Sequence, residues 1–317
     1  MNKCLVTIII PTYNRIQSLK KAIESIINQS YRNCELVIVD DNEKDSSIGK
    51  EIEGIVKEYQ LLYNIKYVKC DKHTNAAIAR NIGINQAKGT YITFLDDDDT
   101  YYMERIKTLV TKMEENRQYN IAYTKCIVKD KGKVIREAGY LPSDCIYELL
   151  NQRSFFGTGS NLFFKTEILN KINGFDEMFL KFQDLETVIR ALEIDNKILF
   201  IPEILVEKNQ DDRSNDLNIK QRIQYTEKFI EKFVTLIKKQ NYDVNKIYAN
   251  NYFEIVKMCI IRKDKSAYMN LKEKMKKGNI KMTIKMNAKC MLLYINNYIH
   301  IKSIYLQIKS KKYKRKN

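Results

Sequence analysis

The residues best able to do chemistry are carboxylates gathered in short runs. Asp96, Asp97, Asp98 and Asp99 are adjacent in the chain, and Asp40-Asp41 form a second pair. Like charges at such spacing cannot all stay ionised without a cation among them. With no His or Cys beside them, an oxygen-only set selects a hard divalent ion, Mg²⁺ or Mn²⁺, which also binds phosphates. The competing use of the run is a solvated acidic turn capping a helix over 102–117. Neither a G-x-G-x-x-G segment nor a P-loop occurs, which disfavours dinucleotide-binding and P-loop enzymes. Seven scattered cysteines without a C-x-x-C pair, and two histidines, support neither a disulfide framework nor a zinc site. Buried thiols in a reducing cytoplasm are the simpler reading.

Such carboxylates act only if the fold brings them together. Short β-rich runs at 6–10, 35–40, 65–69 and 90–95 alternate with amphipathic helical stretches at 19–29, 48–60 and 76–87. That alternation predicts a doubly wound, mostly parallel α/β sheet covered by helices. Ligands of such sheets bind beyond the carboxyl ends of the strands. Asp96 directly follows the strand Tyr91-Ile92-Thr93-Phe94-Leu95, and Asp40 ends the second strand, so both clusters fall on the ligand edge.

A second region begins near residue 215. Residues 1–214 carry 30 basic and 32 acidic side chains, net −2, whereas 215–317 carry 25 and 7, net +18, with no acid after Glu273. The pattern there is helical, around 219–239, 246–262, 266–276 and 280–308. The chain thus divides into a catalytic region, 1–214, and a helical, basic C-terminal region, 215–317. With 44% hydrophobic and 10% aromatic residues it is no disordered chain. No apolar run approaches the roughly 18 residues of a membrane span, and the start lacks the features of a signal peptide. A cytoplasmic protein, peripheral on the inner face of the cytoplasmic membrane, is expected.

Four motifs in order carry a resemblance: Val6-Thr7-Ile8-Ile9-Ile10-Pro11-Thr12-Tyr13-Asn14-Arg15, Leu36-Val37-Ile38-Val39-Asp40-Asp41, Ala79-Arg80-Asn81-Ile82-Gly83, and Phe94-Leu95-Asp96-Asp97-Asp98-Asp99. Gly174-Phe175-Asp176-Glu177, then Gln183-Asp184-Leu185-Glu186 and Arg190, extend it. Over about residues 1–210 the chain resembles glycosyltransferase family 2, the inverting GT-A enzymes. The resemblance implies that Pro11, Thr12, Tyr13 and Arg15 line a nucleotide pocket, with Tyr13 against the base. It implies that Asp40 accepts the imide N–H of uracil, Arg80 faces the diphosphate and Asp96 approaches the ribose. Asp97 would also line the nucleotide site, and Asp98 would bind the metal directly, with Asp97 or Asp99 as companions. The base would be Asp184, with Glu186 and Asp176 as alternatives. Gln183 stands where glutamate is common, and Asn173-Gly174 where two glycines are.

Asp184 also suits the N-cap of a helix over 185–194. Gly157-Thr158-Gly159-Ser160-Asn161 is either an acceptor-channel backbone or a plain turn. The loop 206–214 lacks the histidine often found there in the family, leaving Lys208 or Arg213 for the diphosphate, and His73 reads as a surface residue.

In the tail, Ile284, Ala288, Met291, Ile295, Ile299 and Leu306 recur near helical spacing beside Lys281, Lys285 and Lys289, ahead of Lys302, Lys309, Lys311, Lys312, Lys314, Arg315 and Lys316. A basic amphipathic helix of this kind suits an anionic membrane surface. The alternative is that its apolar stripe packs on the other tail helices. Tyr294, Tyr298, Tyr305 and Tyr313 interleave with the cations, yet no nucleic-acid module surrounds them, so no nucleic acid is expected. The expected activity is metal-dependent transfer of a sugar from a nucleotide-sugar, a UDP-sugar, to a glycan or lipid-linked acceptor. A nucleotidyltransferase would need a glycine-rich phosphate loop after the first strand, and a degenerate glycan-binding or scaffold protein would not hydrolyse donor.

Overall fold

The computed structural model describes residues 4–210 and 218–297. The chain forms two compact units, Met1–Ser214 and Asn215–Asn317. In the first, β1 (Val6–Thr12), α1 (Ile16–Ile27), β2 (Cys34–Asp40), α2 (Ser47–Gln60), β3 (Ile65–Lys69), α3 (Ala76–Gln86) and β4 (Tyr91–Phe94) alternate in order. Four apolar runs thus became four strands within a residue or two of their expected ends. Then come β5 (Thr100–Tyr101), α4 (Arg105–Glu115), β6 (Ile121–Asp130), β7 (Lys133–Ala138), α5 (Cys145–Leu150), β8 (Phe163–Lys165), α6 (Thr166–Lys171), α7 (Gln183–Ile194) and β9 (Leu199–Gln210).

One sheet joins all these strands, in the order β3-β2-β1-β4-β8-β6-β9-β5, with β7 added on β6. The β3-β2-β1-β4 half is parallel throughout. Beyond it β8 runs antiparallel to both β4 and β6, while β9 is parallel to β6. The parallel half is covered on both faces, so every residue of β2 is buried. On one face Ile8, Ile10, Leu36 and Ile38 pack with Leu19, Ala22, Ile23 and Ile26 of α1 and Ile52 and Val56 of α2. On the other, Gly83 of α3 lies so close to β1 that a Cβ there would stand 2.4 Å from Ile9 Cγ2. This close approach carries Arg80, one turn earlier, to the strand tips.

The second unit contains α8 (Ile219–Lys232), α9 (Val234–Lys239), α10 (Val244–Arg262) and α11 (Lys265–Lys277). The segment expected as one helix over 219–239 breaks at Phe233. Ile223, Tyr252, Val256, Cys259, Leu271, Met275 and Cys290 make its core. Residues 284–297 are helical, and the face that packs inward carries Met286 and Cys290. Of the stripe named from the sequence, Ile284 is 90% exposed, Met291 66% and Ala288 is also exposed. Ile295 of the same stripe is half-buried. Tyr298, Ile299, Lys302, Tyr305, Leu306, Tyr313 and the cations from Lys309 onward lie outside the described residues, as does Arg213. No described helix is long and apolar enough to cross a membrane.

Candidate active site

The β1 strand ends in a tight turn in which Asn14 adopts a left-handed conformation (φ 56°), a state asparagine tolerates better than most residues. Asn14 N donates to Asn42 Oδ1 at 3.1 Å, joining the tips of β1 and β2. Thr12 and Arg15 turn toward the acidic segment after β4. Asp97 accepts from Thr12 Oγ1 at 2.8 Å, Tyr13 N at 3.2 Å and Arg15 Nη1 at 3.2 Å. The same guanidinium pairs with Asp98. Pro11 is half-buried and Tyr13 43% exposed. Burial pushes the Asp97 carboxyl up to about 7, against the lowering effect of Thr12 and Arg15.

Asp97 therefore serves its own loop, and the oxygens that converge belong to Asp96, Asp98 and Asp99. One carboxylate oxygen of each lies within 4.8 Å of the others. Asp99 is 1% exposed, with Oδ2 accepting from Ser160 Oγ at 2.6 Å and Thr158 Oγ1 at 3.2 Å, and Oδ1 from Asn209 N at 3.1 Å. Burial, then Asp96 and Asp98, push Asp99 well above the ordinary carboxylate range. Burial and Asp96 raise Asp98 too, although Arg15 opposes them. Carboxylates that crowd one another in this way, Asp99 buried and the other two partly so, fit a divalent cation. The donor set is all oxygen, as a hard ion requires.

Arg80 is 6% exposed and donates to Asp96 Oδ1 at 2.7 Å and Gln183 Oε1 at 2.9 Å. Burial disfavours its charge, but Asp96 and Asp184 outweigh burial and hold the guanidinium protonated. Gln183, the residue at the position of the family's common glutamate, thus meets Arg80 without adding a negative charge. Asp184 sits in the field of Arg80, Asp96 and Lys208, and burial raises its carboxyl. It is not the N-cap. The helix α7 starts at Gln183, Phe182 is the cap in a left-handed conformation (φ 62°), and its side chain makes no capping bond. Asp184 lies in the first helical turn, and no described residue donates a hydrogen bond to its carboxylate. A Cβ on Gly159 would stand 2.6 Å from Asp184 Oδ2, so only glycine leaves the carboxylate its place.

The Gly157–Asn161 segment is therefore more than a plain turn. Gly159–Asn161 forms one turn of 3-10 helix under Asp184, and Ser160 Oγ both holds Asp99 and accepts Asp96 N at 3.0 Å. The fully buried Arg105 anchors the turn from behind, donating to Asn161 Oδ1 at 3.1 Å, Thr124 Oγ1 at 3.1 Å and Ser160 O at 3.2 Å. Asn209 Nδ2 donates to Asp98 O at 2.8 Å from the end of β9. Arg105 and Asn209 gave no signal in the sequence, since their contacts lie tens of residues away along the chain.

Three residues singled out in the sequence have partners of their own. Asp40, expected to read uracil, is 0% exposed; Oδ1 accepts Asn42 N at 3.0 Å and Asn42 Nδ2 at 2.5 Å, and Oδ2 accepts Tyr67 OH at 2.6 Å. His73 lies at the surface as expected, its side chain 46% exposed, and stacks on Tyr13 with ring centroids 3.9 Å apart. Glu186, an alternative base, is fully buried and clamped by Arg190, whose Nη2 donates to Oε2 at 2.8 Å. Arg190 also holds Gly174 O at 2.7 Å, so this pair fixes the loop ahead of α7. Asp176 Oδ1 caps Met178 N at 2.9 Å. Glu186→Ala should cost about 3–5 kcal/mol of stability by stranding Arg190. Urea unfolding measures this, and a loss under about 1 kcal/mol, the level of an exposed pair, would deny the clamp its structural role.

The glycosyl transferase family 2 model matches residues 7–172, over half of the chain. The chain belongs to glycosyltransferase family 2. An uncharacterised glycosyltransferase of Methanocaldococcus jannaschii is 29% identical over 260 residues, covering 80% of this chain and 84% of its own. The amylovoran biosynthesis glycosyltransferase AmsB of Erwinia amylovora is 29% identical over 206 residues, 63% and 67% of the two chains. Among solved structures, S. aureus TarS 1–349 with UDP-GlcNAc superposes with a TM-score of 0.65 over 95% of this chain and 91% of that one, at 16% identity. Mannosyltransferase PcManGT of Pyrobaculum calidifontis, with GDP-Man and Mn²⁺, gives 0.57 over 96% and 83%, at 17% identity. These likenesses establish a GT-A fold followed by C-terminal helices, and the family establishes a glycosyltransferase.

Proposed function

We propose that the transferase is a metal-dependent, inverting enzyme that moves a sugar from a UDP-sugar to a hydroxyl of a cell-surface glycan or lipid-linked oligosaccharide. The observation that carries this reading is the convergence of Asp96, Asp98, Asp99, Arg80 and Asp184 at one edge of the sheet. Asp98, Asp96 and Asp99 would hold Mn²⁺ or Mg²⁺, which when bound supplies charge neutralisation for a diphosphate leaving group. Arg80 adds a fixed cation where negative charge develops. Pro11, Thr12, Tyr13 and Arg15 line the nucleotide side, with Asp97 fixing their loop, and Lys208 lies in reach of the same charges. Asp184, which accepts no hydrogen bond from any described residue and whose carboxyl burial raises, suits proton removal from an acceptor hydroxyl.

The amylovoran biosynthesis relative supports a polysaccharide product. The donor is tested by a thermal-shift panel of nucleotide sugars with Mn²⁺, since a ligand at 100 times its Kd adds about 2.7 kcal/mol. A UDP-sugar should stabilise most and slowly release free UDP. Stabilisation without release would favour the degenerate, glycan-binding reading.

The acceptor side of this proposal includes an anionic membrane surface, met by the C-terminal region. Ile284, Met291, Leu292 and Tyr294 are each at least 60% exposed, and exposed Lys281, Lys285 and Lys289 accompany them. Each lysine near an acidic lipid surface contributes about 1 kcal/mol. Wild-type protein should sediment with phosphatidylserine-containing vesicles at low salt and not with neutral ones. The double variant Ile284→Asp, Met291→Asp should stay in the supernatant, and equal sedimentation of the two would remove the membrane contact.

A further inference from the structure

The tips of β1 and β2 hold a side-chain arrangement that the roles above leave unused. His73 comes from the loop between β3 and α3 and stacks on Tyr13, with 22° between the ring planes. Its Nδ1 lies 2.9 Å from Asp41 Oδ2. Asp41 is itself 4% exposed, and its other oxygen accepts Thr74 N at 2.9 Å and Thr74 Oγ1 at 2.7 Å. The imidazole is thus fixed twice, its plane by Tyr13 and its rotation by Asp41. A carboxylate only accepts, so Nδ1 carries the hydrogen toward Asp41, and in that tautomer of the imidazole the acceptor lone pair is on Nε2. The result is a preorganised acceptor on a side chain that is 46% exposed.

On the nucleotide-sugar reading given above, we propose that His73 selects the donor's base. Nε2 accepts a hydrogen bond, edge to edge, from the ring N–H of a lactam-type base. Uracil offers such a hydrogen at N3 and guanine at N1. Cytosine and adenine carry a lone pair at the matching position, which repels that of Nε2. Asp40, the acceptor expected from the sequence, is sealed behind Asn42 and Tyr67, whereas His73 is open. Tyr13 then acts on the base through His73 as the platform that sets its plane.

The test is calorimetric binding of UDP, GDP, CDP, ADP and N3-methyl-UDP, with Mn²⁺, to wild type and to His73→Phe, which keeps an aromatic ring on Tyr13 but removes the acceptor. Wild type should prefer UDP or GDP over CDP and ADP by about 10-fold, the worth of one hydrogen bond lost against a fixed acceptor. If UDP is preferred, N3-methyl-UDP should bind as weakly as CDP. In His73→Phe these gaps should close while Mn²⁺-dependent binding persists. A gap that survives in His73→Phe and closes in Asp40→Asn overturns the assignment and leaves the donor reading intact. Failure of wild type to bind any nucleoside diphosphate overturns both.

Discussion

Asp184→Asn is expected to lower sugar transfer by about 10²- to 10⁴-fold, the usual contribution of a positioned general base. Donor binding should stay within about twofold of wild type, because Asp184 donates no hydrogen bond and the amide keeps its volume. The argument rests on what surrounds the carboxylate. Gly159 gives it room, Arg80 and Lys208 hold it ionisable, and no described donor consumes its lone pairs. Its competitors are spent elsewhere, Glu186 on Arg190 and Asp176 on its own turn. The same surroundings set a pH dependence. Burial, reinforced by Asp96, raises Asp184 above the ordinary carboxylate value. The base form is therefore lost at a higher pH than for a free aspartate, and the acid limb of kcat should lie above pH 4 and vanish in the residual activity of the variant. Single-turnover assays with preloaded donor separate the step from binding. Full turnover in Asp184→Asn would move the base to another residue.

Why Asp184 was legible while its setting was not has a physical answer. The parallel strands β1, β2 and β4 are mostly apolar runs, and nearly all their side chains are buried whichever face they take. Strand position is then plain, but the direction of each side chain is not. Asp40, given by the resemblance as an acceptor for uracil, instead has Oδ2 on Tyr67 OH, a partner no period could show. The same limit applies to Asp96–Asp99, where Asp99 N returns to Asp96 O at 3.0 Å in a turn that ends strand alternation. Nothing in the spacing told which aspartate would face Thr12 and which Ser160. Strands β5 and β8 have two and three residues, too few for any period. In the tail the helical period was readable, but the helix over 284–297 has two apolar faces, and only packing decided that Met286 and Cys290 turn inward.

Those directions make the second large effect specific to one aspartate. Asp98→Ala should weaken Mn²⁺-dependent UDP binding by about 100-fold or more, as loss of a directly coordinating oxygen implies. Asp98 and Asp96 are only partly buried, whereas Asp99 already has Ser160, Thr158 and Asn209 on its two oxygens. Asp98 meets Arg15 as Asp96 meets Arg80, so its place as the direct ligand rests on the family resemblance and on its partly exposed carboxylate. Asp97 is the control, because its oxygens are committed to Thr12, Tyr13 and Arg15 and it is not one of the three carboxylates that converge. Asp97→Asn should leave the affinity for Mn²⁺ alone, read by electron paramagnetic resonance, within about threefold, a margin below the 10- to 100-fold cost of removing a partner that orients a ligand. It should instead weaken nucleotide binding through the loosened Tyr13 turn. Loss of Mn²⁺ binding in Asp97→Asn with retention in Asp98→Ala would reverse the two roles. Equal UDP titrations with and without Mn²⁺ in wild type would remove the metal from the reaction.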